Sequence, residues 1–372
     1  MDRDDEHVAQ TAGQLTWALC VSTYNRIDVL EVCIRHALHQ TRMPHEIVIV
    51  DASADLEGNS RRITAMAQAA GVPIRYLAAP KKALPSQRNH GIAAATADIL
   101  FLIDDDAFLY PDCAETIMRI YEADRDGKIA AVSANDGPMP ADIADVGEAA
   151  TSVSMTGGTQ RLLARSAVVR FLWSEILMMS ADRVFIPYDG TWHRPDATTV
   201  TAYASADVAP LNTIFGYRMT VRRSVALAEP FDSDLLAYAS AEDLDATYRF
   251  SRHGWNVIAH NAKVYHQVAA AERLKRQRAM MLSILNITFL TRKNSRQPAR
   301  DTMQLYVVIL RRLLAEFLKD LLTRRWRFPQ FLGVAKALVM TVPIMRHQRA
   351  TLGQYYDGVQ RRVLGLPPAG ST

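Results

Sequence analysis

Three consecutive carboxylates, Asp104, Asp105 and Asp106, follow directly on an uninterrupted apolar run, ILFLI at 99–103. At the end of a strand they repel one another unless a cation neutralises them, and their oxygens suit hard divalent ions such as Mg2+ or Mn2+. The plain alternative is a solvated acidic turn, and a lone DDD does not decide between the two. A second acidic pair, Glu242 and Asp243, opens the helical segment AEDLDATYRFSRHG at 241–254. Such acids complement a helix dipole, or one of them takes a proton from an attacking hydroxyl as a general base. His266, in VYHQ after a strand, is structural if taken alone and a metal ligand if it meets the aspartates. Three further spots fit a nucleotide. Thr23, Tyr24 and Asn25 leave the first strand where a base would lie. Asp51 ends the strand EIVIV and can accept from a pyrimidine imide. Arg88, in PSQRNHGI, can pair with a phosphate or base. No Ser or Cys nucleophile is evident.

These residues need a frame. The N-terminal two-thirds of the chain alternates between apolar runs and helical patterns. Strands are expected at 15–22, 46–50, 74–77 and 99–103, with helices at 28–40, 61–70 and 86–95. That alternation implies an α/β fold, a mainly parallel sheet with right-handed crossovers. Ligands of such sheets lie beyond the carboxyl ends of the strands, where Thr23, Asp51 and Asp104 all fall. Residues 135–209 read as loops around an acceptor pocket, with one helical stretch at 162–181. Regular pattern returns at 217–221, in a helix at 242–253 and in a last strand at 256–259 leading into 263–266.

Charge divides the chain. Residues 273–362 carry 19 Lys and Arg against four Asp and Glu, while the chain as a whole has a net charge of +4, so an acidic body precedes a basic tail. Within that tail, MQLYVVILRRLLAEFLKDLL at 303–322 gathers Leu310, Leu313, Leu314, Phe317 and Leu321 on one helical face. Arg312, Glu316, Lys319 and Thr323 fall on the other. An apolar face flanked by arginines fits peripheral contact with a membrane; a helical subdomain packed on the core or on a second copy in a homodimer is the alternative. No nucleic-acid module is recognisable. The three cysteines are scattered, which reads as reduced thiols in the cytoplasm. The first 14 residues are polar, read as a disordered segment, and lack a secretory pattern, and no run is long and apolar enough to span a bilayer.

Taken in order, CVSTYNR, VIVDAS, QRNHGI, FLIDDDAF, AEDLDATYRFSRHG and VYHQ resemble the family 2 glycosyltransferases, over about residues 15 to 270. The series looks especially close to bacterial polysaccharide transferases of the rhamnosyl- and galactofuranosyl-transferring type, whose tails are also basic and helical. The resemblance implies a GT-A domain at 15–270, with a basic helical region at 271–372. It implies an inverting transfer from a UDP- or dTDP-sugar to a saccharide or lipid-linked acceptor, on the inner face of a membrane. Thr23, Tyr24, Asn25, Arg26, Asp51 and Arg88 would hold the nucleotide. Asp104 and Asp106 would meet the metal and diphosphate with His266, and Asp105 would face the sugar or ribose. Asp243 would be the base and Glu242 would position the acceptor. Two departures stand out: VDAS has Ala52 where a second acid is usual, and GYRMTVRR has Arg218 where Asn is usual. A nucleotidyltransferase is the rival enzyme, but CVSTYNR lacks its glycine-rich loop; a non-catalytic nucleotide-sugar-binding relative is the other rival.

Overall fold

The computed structural model describes residues 14–140, 171, 177, 180–204, 207–237, 239–267 and 274–368. The expected disordered segment 1–14, apart from Gln14, and most of the helix expected at 162–181 lie outside the described residues. The first half runs β1 (Trp17–Thr23), α1 (Ile27–Leu38), β2 (Glu46–Asp51), α2 (Leu56–Ala69), β3 (Ile74–Ala78), α3 (Leu84–Ala94), β4 (Ile99–Asp104), β5 (Ala107–Leu109), α4 (Cys113–Ala123) and β6 (Ile129–Asp136). Then come α5 (Ala181–Val184), α6 (Ala197–Tyr203), β7 (Val208–Pro210), β8 (Met219–Arg222), α7 (Arg223–Ala228), α8 (Glu242–Phe250) and β9 (Trp255–His266). Four helices close the chain: α9 (Arg276–Asn294), α10 (Pro298–Leu322), α11 (Pro329–Arg346) and α12 (Leu352–Leu364).

The nine strands form one mixed sheet in the order β3-β2-β1-β4-β8-β6-β9-β5, with β7 also on β9. The apolar runs β1, β2 and β4 are parallel neighbours buried on both faces: Trp17, Leu19 and Val21 enter one core cluster, Ala18 and Cys20 the other. That is what a continuous apolar run achieves when helices cover both sides. The chain first winds outward from β1 to β2 and β3, then returns to place β4 on β1's other side. The crevice between the ends of β1 and β4 is therefore a topological switch point, and the register sets Ser22 opposite Asp104 and Thr23 opposite Asp51 there. The strand expected in two pieces at 256–266 is one, β9. Its antiparallel pairing with β5 sets His266 opposite Ala107, one residue beyond Asp106.

A third core cluster joins α8 to the closing helices through Leu244, Tyr248, Leu285, Phe289, Val334 and Tyr356. The tail helices thus pack on the element that carries Glu242 and Asp243. α10 is amphipathic as read, and its apolar stripe is the outer one: Glu316 and Asp320 are fully buried while Leu310, Leu314, Phe317 and Leu321 face solvent. The reason is local. Asp320 Oδ2 accepts from the backbone N–H groups of Gln330 and Phe331 (2.8 and 3.1 Å), capping α11, and Glu316 accepts from Gln330 Nε2 at 3.0 Å. These acids serve the turn into α11 and must point inward. Cys20, Cys33 and Cys113 are free and buried. Among the described residues no helix is long and apolar enough to cross a membrane.

Candidate active site

The ligand atoms of Asp104, Asp106 and His266 lie within 4.8 Å of one another. Asp104 ends β4, Asp106 closes the turn into β5, and β9 brings His266 Nε2 to 3.1 Å from Asp106 Oδ1. Two carboxylates and an imidazole at this spacing suit a divalent ion such as Mg2+ or Mn2+. The wall behind His266 is Tyr217, stacked on it at 4.3 Å and 9°, with its hydroxyl donating to Asp136 at 2.7 Å.

Asp105, expected to face a sugar, points the other way. It is wholly buried, accepts from Thr23 Oγ1 at 2.8 Å and pairs with Arg26 at 2.5 Å. Burial pushes its carboxyl up to about 7 against the pull of Arg26, with Asp106 adding to the rise. Arg26 also reaches Asp106 at 3.2 Å, so it helps to neutralise the acidic turn from the β1 side.

Arg88, expected on a phosphate, is buried and spans two acids: Nη2 is 2.8 Å from Asp104 and Nη1 is 2.8 Å from Glu242. It thereby ties the metal-site strand to the start of α8. A Cβ on Gly216 would stand 2.5 Å from Arg88 Nη2, so only glycine allows the chain to pass over the guanidinium. The N–H of that glycine donates to Asp243 Oδ2 at 3.0 Å. Glu242 is turned to Arg88, so it positions that arginine; burial raises its carboxyl well above the ordinary range. Asp243 stays partly exposed, and burial raises its carboxyl too, opposed by Arg88. A raised, reachable carboxylate beside a cation site has the makings of a proton acceptor.

Asp51 differs from its expected role. It is buried and already accepts from Ser53 N (2.7 Å), Ser53 Oγ (2.5 Å), Asn59 (3.1 Å) and Tyr76 (2.7 Å), which fills the capacity of a carboxylate. It shapes the edge of the crevice and has no lone pair left over for a base. Tyr24 and Asn25 stand more open. Lys82 lies 3.3 Å over the Tyr24 ring, and Asn25, at φ 52°, donates its N–H to Ser53 at 2.7 Å. Sequence reasoning missed Gln87, whose amide donates to the carbonyls of Thr23 and Val50 at 3.0 Å each and pins the ends of β1 and β2. Arg218 lies over Phe215 and Tyr217, 3.4 Å from the exposed Asp136, with its Nε buried and unpartnered among the described residues. Two cavities, 410 and 570 Å3, lie elsewhere and are not lined by any of these residues.

The tail helices reach the site through the segment before α8, where Ala237, Ala239 and Ala241 all have positive φ. That backbone is costly for alanine and needs external support. Gln360 of α12 supplies some, accepting from Leu236 N at 2.8 Å and donating to Asp234 O at 2.7 Å, while Asn286 of α9 donates to Ser240 O at 2.9 Å. Gln360→Ala leaves a buried N–H and a half-buried carbonyl unpaired. We expect it to lose about 1–3 kcal/mol in urea unfolding. Unchanged stability shows that the tail does not hold the segment before α8.

The sequence profile of Glycosyl transferase family 2 matches residues 18–173, which contain the TYNR, VDAS, QRNHGI and DDD segments. No curated protein matches the chain in sequence. Among solved structures, the mannosyltransferase PcManGT from Pyrobaculum calidifontis, with GDP-Man and Mn2+, has a TM-score of 0.48 at 13% identity, covering 95% of this chain and 86% of that one. TarS 1–349 from S. aureus, with UDP-GlcNAc, has a TM-score of 0.47 at 12% identity, covering 95% and 93%. A longer TarS structure has a TM-score of 0.43 at 12% identity over 80% of this chain, which spans only 44% of it. The strand-end segments that form the acidic crevice thus lie within the stretch that is similar to glycosyl transferase family 2, and they stand on a mixed sheet of parallel and antiparallel strands.

Proposed function

We propose that this protein moves a sugar from a nucleotide diphosphate donor, a UDP- or dTDP-sugar, to a hydroxyl of a saccharide or lipid-linked acceptor. The setting would be cell-surface glycan synthesis, with the chain peripheral on the inner face of a membrane. The observation that carries the reading is the convergence of Asp104, Asp106 and His266 within 4.8 Å, joined by Arg88 to the acids that open α8. A divalent ion held by these three residues would supply positive charge beside a departing diphosphate. Asp243 takes the proton of the acceptor hydroxyl as its oxygen attacks the anomeric carbon, and the nucleoside diphosphate leaves from the opposite face, so the configuration inverts. Glu242 and Arg88 hold that carboxylate and Asp104 in one frame. Tyr24, Asn25 and Arg26, with Thr23, Asp51 and Asp105 behind them, form the nucleotide edge. Arg218 favours an anionic group on the donor or the acceptor.

A thermal-shift screen tests this, using nucleotide sugars, nucleotide uronic acids among them, with and without Mn2+. Binding only to the folded state stabilises by about 2.7 kcal/mol at a hundredfold excess over Kd. We expect at least one donor to raise Tm by several degrees with Mn2+ and far less without it. No shift with any donor removes the reading, and equal shifts without metal remove the metal from it.

A further inference from the structure

We propose that the outer face of α10 is a docking surface for an anionic lipid bilayer. Met303, Val307, Leu310, Leu314, Phe317 and Leu321 follow one another at intervals of three and four, a single solvent-facing stripe about 27 Å long. Leu310 and Leu314 are 55% and 53% exposed, and the stripe runs on to Leu322 and Trp326, exposed by 75% and 67%. Phe317 meets Phe328 and Phe331 at 5.3 and 5.5 Å, which carries the apolar surface onto the start of α11. Exposed apolar area this continuous marks an interaction site.

The occupant follows from charge. Residues 298–346 contain only three carboxylates, Asp301, Glu316 and Asp320, and all three are fully buried. Every exposed charge of the hairpin α10–α11 is therefore positive. Arg311 sits between Val307 and Leu314, and Arg324 and Arg327 flank Trp326; none of the three has a carboxylate within ion-pair distance among the described residues. Glu316 and Asp320 are committed to capping and pinning α11, so the helix cannot roll its leucines inward without breaking that turn. An apolar strip rimmed by unpaired arginines matches a sheet of anionic headgroups over acyl chains. It matches a second copy poorly, because two such faces repel. The inference deepens the peripheral placement given above and does not depend on sugar transfer.

The test is flotation of the full chain with vesicles of phosphatidylglycerol and phosphatidylcholine in equal parts, against phosphatidylcholine alone. We expect at least tenfold stronger partitioning onto the anionic vesicles, falling as salt rises. Leu310→Glu with Leu314→Glu lowers it at least tenfold, with circular dichroism and Tm unchanged because both sites are exposed. Arg311→Glu, Arg324→Glu and Arg327→Glu each weaken anionic binding by about fivefold or more. The proposal is overturned if the parent ignores anionic vesicles, or if the leucine variant binds them as the parent does. It is also overturned if light scattering shows a lipid-free dimer that this variant dissociates. Donor-induced thermal shifts, read on the same variants without vesicles, stay at the parent's value, which separates this result from the fate of the catalytic reading.

Discussion

Asp243→Asn loses roughly 10²- to 10⁴-fold in kcat and binds donor as the parent does. The substitution keeps the shape of the side chain and one of the two oxygens that accept from the N–H groups of Gly216 (3.0 Å) and Leu244 (2.9 Å), so one of these bonds is lost, at about 1 kcal/mol, and the start of α8 stays in place. What disappears is the ability to take a proton. Burial holds the Asp243 carboxyl above the ordinary range, so the parent's kcat/KM is expected to fall on the acid side at a higher pH than an exposed aspartate would give. Below that carboxyl's folded value the base is protonated and idle; above it the carboxylate is competent. Initial rates with saturating donor and a thermal shift with the same donor check both halves. Turnover within threefold of the parent removes Asp243 as the base. Glu242 is then a poor replacement, since it is buried against Arg88.

The parts of this site that could be read from the sequence are those fixed by local rules. Apolar runs buried on both faces gave β1, β2 and β4, and the residues at their carboxyl ends are the ones that meet in the crevice. Elements held together by long-range packing were less legible. β6, with the sequence IAAVSAND, is rich in small residues of low strand preference and becomes a strand because β8 and β9 flank it. For α10, periodicity separated two faces, but only Asp320 and Glu316, engaged with Gln330 across the turn, determine which face is inside. Asp51 shows the same limit. Its position at a strand end was plain, but the donors that saturate it come from Ser53, Asn59 and Tyr76, on two other elements and the intervening loop. Function was read from residue identity, and identity does not reveal whether a lone pair is already spoken for.

Arg88→Met destabilises the fold by about 3–5 kcal/mol, the cost of leaving buried charge without its partner. Arg88 is buried, as is Glu242 beside it, whose second oxygen, Oε2, already lacks a hydrogen-bond partner. Methionine fills much of the volume under Phe231 and Gly216, so the loss is electrostatic more than steric. The shared charge has a sharper consequence for the pair. Adding Glu242→Gln to Arg88→Met removes the stranded charge, and the double variant should recover more than half of the lost stability in urea unfolding. Additive losses would show that the two side chains do not share one balance of charge. The double variant also separates the structural duty of this arginine from a second one. If the guanidinium swings to a diphosphate when donor enters, the refolded double variant still shows a donor-induced thermal shift far below the parent's. If its shift equals the parent's, Arg88 serves only to join β4 to α8, and the cation facing the phosphates is Arg26 or the metal.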